Sequence, residues 1–256
     1  MLICPVRDCH EPLTREDRRF VCPRRHSFDI ARSGYVNLLQ PQDRRSRNPG
    51  DTAAATSGRR RLHESGITAP LLDAIRTLAA PVAADAVLDA GCGEGSILGA
   101  LHRGTAFDAH GVDISIPAID AAARRYPECH WVVANADRFL PYADRSFSLI
   151  LSVTARVNIS EFRRALRPGG RLLIALPAPD DLIELRGAGR DDRVPRTIEA
   201  LSPAFTLTAQ RRATTTADLD AATVQDVLHS IYRPFRSHPV AAMRLTFSLD
   251  LLLLVG

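Results

Sequence analysis

From residue 86 onward, short apolar runs alternate with stretches of helical periodicity. The runs Ala86 to Asp89, Ala109 to Asp113, Trp131 to Val133, Ser146 to Val153 and Arg171 to Leu176 have strand length and are apolar almost throughout. Strands that read as continuous apolar runs are buried on both faces, which is the pattern of a parallel sheet covered by helices. The sequence predicts a helix opened by Pro70 and running to about Leu78 ahead of the first strand, and among the strands one over Ser96 to Leu101 and one ending Ala165-Leu-Arg-Pro-Gly-Gly170 before the strand Arg171 to Leu176. The tail Leu249 to Val255, interrupted by Asp250, reads as a buried terminal strand. The fold class expected for this body, residues 71–256, is therefore α/β. Ahead of it stand a short head, residues 1–38, and a basic loop and hinge, residues 39–70, which carries Pro41, Pro49 and Gly50 among Arg44, Arg45 and Arg47.

Composition narrows the class. With 45% hydrophobic and 24% charged residues and no apolar stretch long enough to span a bilayer, the sequence excludes wholesale disorder and a membrane-spanning helix. The first residues lack the basic start and apolar core of a secretory signal, so the cytoplasm is the expected compartment. All 33 cationic side chains are arginine, which a codon preference would also produce; their distribution says more. Residues 1–61 hold 13 Arg against 7 acids, a formal +6, whereas residues 62–256 hold 20 Arg against 22 acids, a formal −2. A basic head on a slightly acidic body suggests that the head faces a polyanion.

Three of the five cysteines lie in the first 22 residues, in Cys4-Pro-Val-Arg-Asp-Cys9 and Cys22-Pro-Arg-Arg-His26. Two ligand pairs separated by about a dozen residues form two knuckles around a tetrahedral ion, so Cys4, Cys9, Cys22 and His26 read as a Cys3His zinc site. A segment this short cannot bury enough apolar surface to fold alone, and ligation energy supplies what its core lacks. Disulfides and His10 as the fourth ligand are the competing readings.

In the body, Ala86-Val-Leu-Asp-Ala-Gly-Cys-Gly-Glu-Gly95 ends a strand at Asp89 and turns through Gly91, Gly93 and Gly95 into a helix. Such a turn lets the backbone lie against a ligand. Asp113, about twenty residues on at the end of the next strand, can hold a ribose diol, which fits either NAD or S-adenosylmethionine.

The acid at the start of the glycine turn, the strand order and the Leu-Arg-Pro-Gly-Gly turn together resemble the class I (Rossmann-like) S-adenosylmethionine-dependent methyltransferases. That resemblance implies that Gly91, Gly93 and Gly95 line the methionine part of the cofactor and that Asp89 meets its amino group. It also implies that Asp113 binds the ribose, that Ile114 packs on the adenine, and that Asn135, Ala136 and Asp137 meet the adenine edge. Asp137 equally reads as a helix cap, and Cys92 needs only to be small.

The zinc head, the stretch Phe28 to Asp51 with its Ser-Gly-Tyr-Val-Asn-Leu-Leu core, and Pro177-Ala-Pro-Asp-Asp-Leu-Ile-Glu-Leu-Arg186 resemble the RlmA-type 23S ribosomal RNA guanine-N1 methyltransferases over nearly the whole chain. This implies zinc on Cys4, Cys9, Cys22 and His26, a large-subunit RNA hairpin as partner, and pairing of two copies. One branch of that family gives macrolide resistance, and these residues leave the branch open. The chain departs from the pattern in the wider spacing of its first cysteine pair, in Ala55, Thr56 and Thr68 of the hinge, and in Val153-Thr-Ala-Arg156.

Transfer from a sulfonium requires alignment above all, and guanine N1 carries a proton that a carboxylate can accept. Asp180, Asp181 and Glu184 are the candidates, each equally a cap or surface charge. Arg156 and Asn158, after the fourth strand, are the candidate contacts to base or phosphate. No Asn/Asp-Pro-Pro-aromatic sequence, expected for an exocyclic amine, and no Pro-Cys occurs there, and a ring nitrogen fits both absences. The rival reading is a methyltransferase for a small secondary metabolite, for which the basic head has no use.

Overall fold

A computed structural model describes residues 1–44, 49–231 and 240–256 of the chain; Arg45 and Arg47, expected in the exposed basic loop, lie outside them. The head forms three short antiparallel strands, β1 (Thr14–Glu16), β2 (Arg19–Val21) and β3 (Ser27–Asp29). They are too small for a core of their own. Cys4, Leu13 and Cys22 instead pack into one cluster with Val36, Leu38, Leu140 and Tyr142, which line one face of the main sheet.

The attachment is also made through backbone. Strand β4 (Val36–Asn37) adds to the edge of the main sheet. It runs parallel to β7 (His130–Val133), and the Leu38 N–H donates to the Val133 carbonyl at 2.9 Å.

The main sheet contains β5 (Ala86–Ala90), β6 (Asp108–Asp113), β8 (Phe147–Val153), β9 (Leu166–Pro177), β10 (Thr206–Leu219) and β11 (Met243–Val255) besides these two. Its order is β10-β11-β9-β8-β5-β6-β7-β4, parallel from β9 to β4 and antiparallel at β11 and β10. After β5 the chain builds outward to β6 and β7, then returns to place β8 on the other side of β5. The crevice at the carboxyl ends of β5 and β8 is thus the topological switch point, where open α/β sheets bind ligands.

The predicted terminal strand is present, and the acid that interrupts its apolar run is explained by Arg212, which donates from Nε and Nη2 to Asp250 at 2.8 Å each across the β10–β11 pair. The segment Arg167 to Gly170 is an excursion in β9: Phe147 pairs with Leu166 and Leu149 next with Arg171.

Eight α-helices occur among the described residues: α1 (Ala53–Glu64), α2 (Ala69–Ala79), α3 (Ser96–Gly104), α4 (Ile116–Arg125), α5 (Ile159–Ala165), α6 (Ile183–Arg186), α7 (Val194–Leu201) and α8 (Ala221–Ser230). The Ala-rich hinge is α1, started by Thr52, whose hydroxyl accepts from the Ala55 N–H at 3.2 Å. It packs on α8 at Gly58, where a Cβ would stand 3.0 Å from the Asp226 carbonyl, and Arg61 is paired with Asp226 beside this contact. No helix among the described residues is long and apolar enough to cross a membrane.

Candidate cofactor cleft and zinc site

Asp89 sits at the carboxyl end of β5, only 1% exposed, and its Oδ1 has no hydrogen-bond partner among the described residues. A buried unpartnered carboxylate oxygen is expensive unless a ligand completes it. Burial, with the charges of Asp113 and Glu94 adding to it, pushes the Asp89 carboxyl up to about 7. An unpartnered acid at the switch point of the sheet could hold a cationic group.

The turn that follows needs its glycines for two reasons. Gly91 has φ +84° and a Cβ there would lie 2.4 Å from the Ala155 Cβ; Gly95 has φ +77° and its Cβ would lie 2.4 Å from Trp131. Left-handed backbone and close packing together exclude a side chain. The turn is hung on the neighbouring strand, with Gly91 and Cys92 N–H both donating to the Val112 carbonyl, at 2.8 and 3.1 Å. Cys92 has its thiol pushed up by burial, in keeping with a residue that packs and does not react.

Asp113 ends β6 opposite this turn. Its Oδ2 accepts from the Gly93 N–H at 2.9 Å and its Oδ1 from the Ser115 N–H at 2.8 Å, which fixes the carboxylate and leaves lone pairs for a diol. Ile114 stands beside it under a strap from the hinge: a Cβ on Gly50 would lie 3.0 Å from Ile114 Cγ2, and Ser115 Oγ donates to the Asp51 carbonyl at 2.8 Å.

The loop Asn135 to Asp137 is tied to the head side. Asn135 Nδ2 donates to the Asp43 carbonyl at 2.9 Å and its Oδ1 accepts from the Asp137 N–H at 3.2 Å. Asn158 caps α5, accepting from the Glu161 N–H at 3.4 Å, and its Nδ2 donates to the carbonyls of Ala136 and Asp137 at 3.2 and 3.0 Å. Its amide is thereby spent on holding this loop. Arg156 is exposed at the mouth with its Nε 3.5 Å from Asp137 Oδ2.

Beyond β9, Asp181 accepts from the Ser248 N–H at 3.2 Å and from Arg186 at 3.3 Å, and burial pushes its carboxyl up to about 6. Glu184 accepts from the N–H and hydroxyl of Thr246 at 3.0 and 2.6 Å. Both acids fasten this segment to β11. Asp180 has a buried Oδ1 with no hydrogen-bond partner among the described residues.

One residue beside the cleft was hidden in the sequence within the run Arg59-Arg60-Arg61. On α1 the buried residues are Ala55, Thr56, Gly58 and Leu62, so helical spacing turns Arg59 toward them and leaves Arg60 exposed. The Arg59 guanidinium is bonded to Asp51, donates from Nη2 to the Ser230 carbonyl at 3.0 Å, and has Nη1 3.1 Å from where a Gly93 Cβ would stand.

In the head, Cys4, Cys9, Cys22 and His26 bring their ligand atoms within 4.8 Å of one another, and the cysteines are free thiols. Cys9 Sγ and Cys22 Sγ are 3.8 Å apart, and Cys4 and Cys22 Sγ each lie 3.4 Å from His26 Nδ1. A tetrahedral ion with Zn–S bonds of about 2.3 Å has S···S edges of about 3.8 Å, so the donor set and its size fit zinc. His10 points elsewhere, its ring stacked on Phe139 at 4.7 Å.

Comparison with known proteins matches both parts. The family model described as the RlmA N-terminal zinc ribbon covers residues 2–47, and one described as a methyltransferase domain covers residues 87–170. A 23S rRNA (guanine(748)-N(1))-methyltransferase from Streptomyces fradiae is 39% identical over 230 residues, 86% of this chain and 80% of that protein. A Bacillus subtilis (strain 168) protein, YxjB, provisionally given the activity of a 23S rRNA guanine-N1 methyltransferase, is 36% identical over 73% of this chain and 67% of its own. Among solved structures, a methyltransferase chain from the complex with the Haloferax volcanii Trm112 activator superposes with a TM-score of 0.55 at 21% identity, covering 80% of this chain and 98% of that one, which supports the fold.

The two family matches bear out both cofactor expectations, S-adenosylmethionine for the methyltransferase domain and zinc for the ribbon. With ribbon and methyltransferase domain joined in one chain, and with this identity over most of its length, the chain belongs to the family of the 23S rRNA (guanine-N1)-methyltransferases.

Proposed function

We propose that the chain methylates N1 of a guanine in a hairpin of 23S ribosomal RNA, acting in the cytoplasm. The observation that carries the RNA reading is the arginine-rich zinc head docked on the edge of the sheet that holds the cofactor cleft. Arg7, Arg15, Arg18, Arg25, Arg32 and Arg44 are exposed and make no salt bridge among the described residues. Uncompensated exposed cations of this kind neutralise phosphates.

S-adenosylmethionine, when bound, supplies the methyl group on its sulfonium. The chain's own residues do the remaining work. Asp89 takes the ammonium, Asp113 the ribose hydroxyls, and the glycine turn leaves room for the methionine portion. Ile114 and the loop Asn135 to Asp137 flank the adenine, the loop being held in place by Asn158. Arg156, exposed beside that loop, contacts the incoming RNA. Asp181, held by Ser248 and Arg186 beyond β9, is the candidate carboxylate to accept the N1 proton.

The test is transfer of labelled methyl from S-adenosylmethionine to unmodified large-subunit RNA, followed by digestion and mass spectrometry. 1-Methylguanosine is expected, and its position separates the housekeeping from the resistance branch. Absence of product, with cofactor binding intact, refutes the reading. The same RNA should bind with a steep salt dependence; a flat response belongs to a small acceptor. Pairing of two copies belongs to this reading as well and is checked by the mass in solution.

A further inference from the structure

The helix that follows the glycine turn offers little to an anion. The N-terminus of α3 would ordinarily be the place for a negative group, because its first N–H groups are unpaired. Here a side chain of the protein occupies part of it. Glu94, 3% exposed, accepts from the Ser96 N–H at 3.0 Å and from the Ser96 hydroxyl at 2.7 Å. Four N–H groups of the turn are also taken: Gly91 and Cys92 by Val112, Gly93 by Asp113, and Gly95 by the Cys92 carbonyl at 3.0 Å.

The surroundings are acidic as well, with Asp51, Asp89, Glu94 and Asp113 around one small turn. That suits the ammonium and sulfonium of S-adenosylmethionine and opposes its carboxylate. A ligand with two cationic groups and one anionic group is therefore served by a separate cation at its methionine end.

Arg59 is placed to be that cation. It reaches the turn from α1 and lies against Gly93, where the missing Cβ makes room for it. Of its five N–H donors, one goes to Asp51 and one to the Ser230 carbonyl. The donors left over suffice for a two-pronged bond to a carboxylate. We infer that Arg59 binds the methionine carboxylate of the cofactor, with Asp51 and Ser230 holding its guanidinium over Gly93. The same contacts join three separate pieces of chain, the hinge strap, α1 and the end of α8, so the carboxylate, once bound, sits at the point where they meet.

This inference concerns the cofactor alone and stands or falls independently of the RNA substrate. The test is calorimetric binding of S-adenosylmethionine and of its decarboxylated analogue, which lacks only the carboxylate, to the wild type, Arg59→Gln and Arg59→Lys. The wild type should prefer S-adenosylmethionine by about 10- to 100-fold, the worth of a charge-assisted bond. Arg59→Gln should lose that preference while binding the decarboxylated analogue as the wild type does, and Arg59→Lys should recover part of it. Equal loss for both ligands would mean that Arg59 only supports the fold and would overturn the inference. Unchanged S-adenosylmethionine affinity in Arg59→Gln would overturn it too.

Discussion

Binding of the cofactor should release a proton, and the source should be Asp89. In the ligand-free protein its carboxyl lies at about 7, because it is buried and faces Asp113 and Glu94. At pH 7 about half of the molecules therefore hold a neutral Asp89. The cofactor's ammonium favours the ionised form, so saturating binding at pH 7 should expel roughly half a proton per chain. The affinity should follow: constant above about pH 8, and about tenfold weaker at pH 6, where only about one molecule in ten has the charged partner ready.

The stability of the ligand-free protein has the corresponding sign. Unfolded Asp89 ionises near 3.8 and folded Asp89 near 7, so between these values the folded state binds more protons and stability falls as pH rises. The fall amounts to roughly 4 kcal/mol at most. Replacing Asp89 by Asn should remove this part of the pH dependence and abolish proton release. It should also weaken the cofactor at every pH. Calorimetry in two buffers of different ionisation enthalpy counts the protons, and denaturation at pH 5 and pH 8 reads the stability. Binding without proton release at pH 7, or release undiminished in Asp89→Asn, would refute the reasoning.

Three further outcomes follow from the same geometry. Arg156→Ala should lower RNA methylation about tenfold, one charge-assisted contact, while cofactor affinity and stability stay unchanged, since its exposed pair with Asp137 contributes little; normal turnover would remove Arg156 from the RNA surface. Asn158→Ala should cost about 1–2 kcal/mol of stability in denaturant, because it removes a helix cap and two bonds to the 136–137 carbonyls, and it should weaken the cofactor more than the RNA. Chelating zinc should abolish RNA affinity, measured by filter binding, and should also lower the melting temperature of the body, because Cys4 and Cys22 share a cluster with Tyr142 and Leu140 on the sheet face. A body that melts at its original temperature after complete metal loss would show that this shared cluster is energetically idle.

What the sequence revealed and what it hid divide along one physical line. Asp89, the three glycines and Asp113 were legible because each is fixed by its neighbours in the chain: a strand end, a left-handed turn, the end of the next strand. The knuckles were legible for the same reason, since four ligands within 23 residues need only local loops to meet. Asn158 was read as a group facing the substrate. The structure spends its amide on a cap and on a loop 22 residues earlier, a choice set by tertiary contacts that periodicity does not encode.

Arg59 was lost for a related reason. In a run of three arginines the composition signals a solvated basic face, and only the phase of α1 relative to α8 and the glycine turn singles one of them out. The strand β4 leaves no signal in the sequence because two residues carry no period, and it exists only where the β7 edge accepts it. Both omissions lie on the path by which the head reaches the cleft: β4 anchors the head to the sheet, and Asp51, on the strap that follows, holds Arg59 over the turn. The contacts that join the head to the cleft are thus long-range ones.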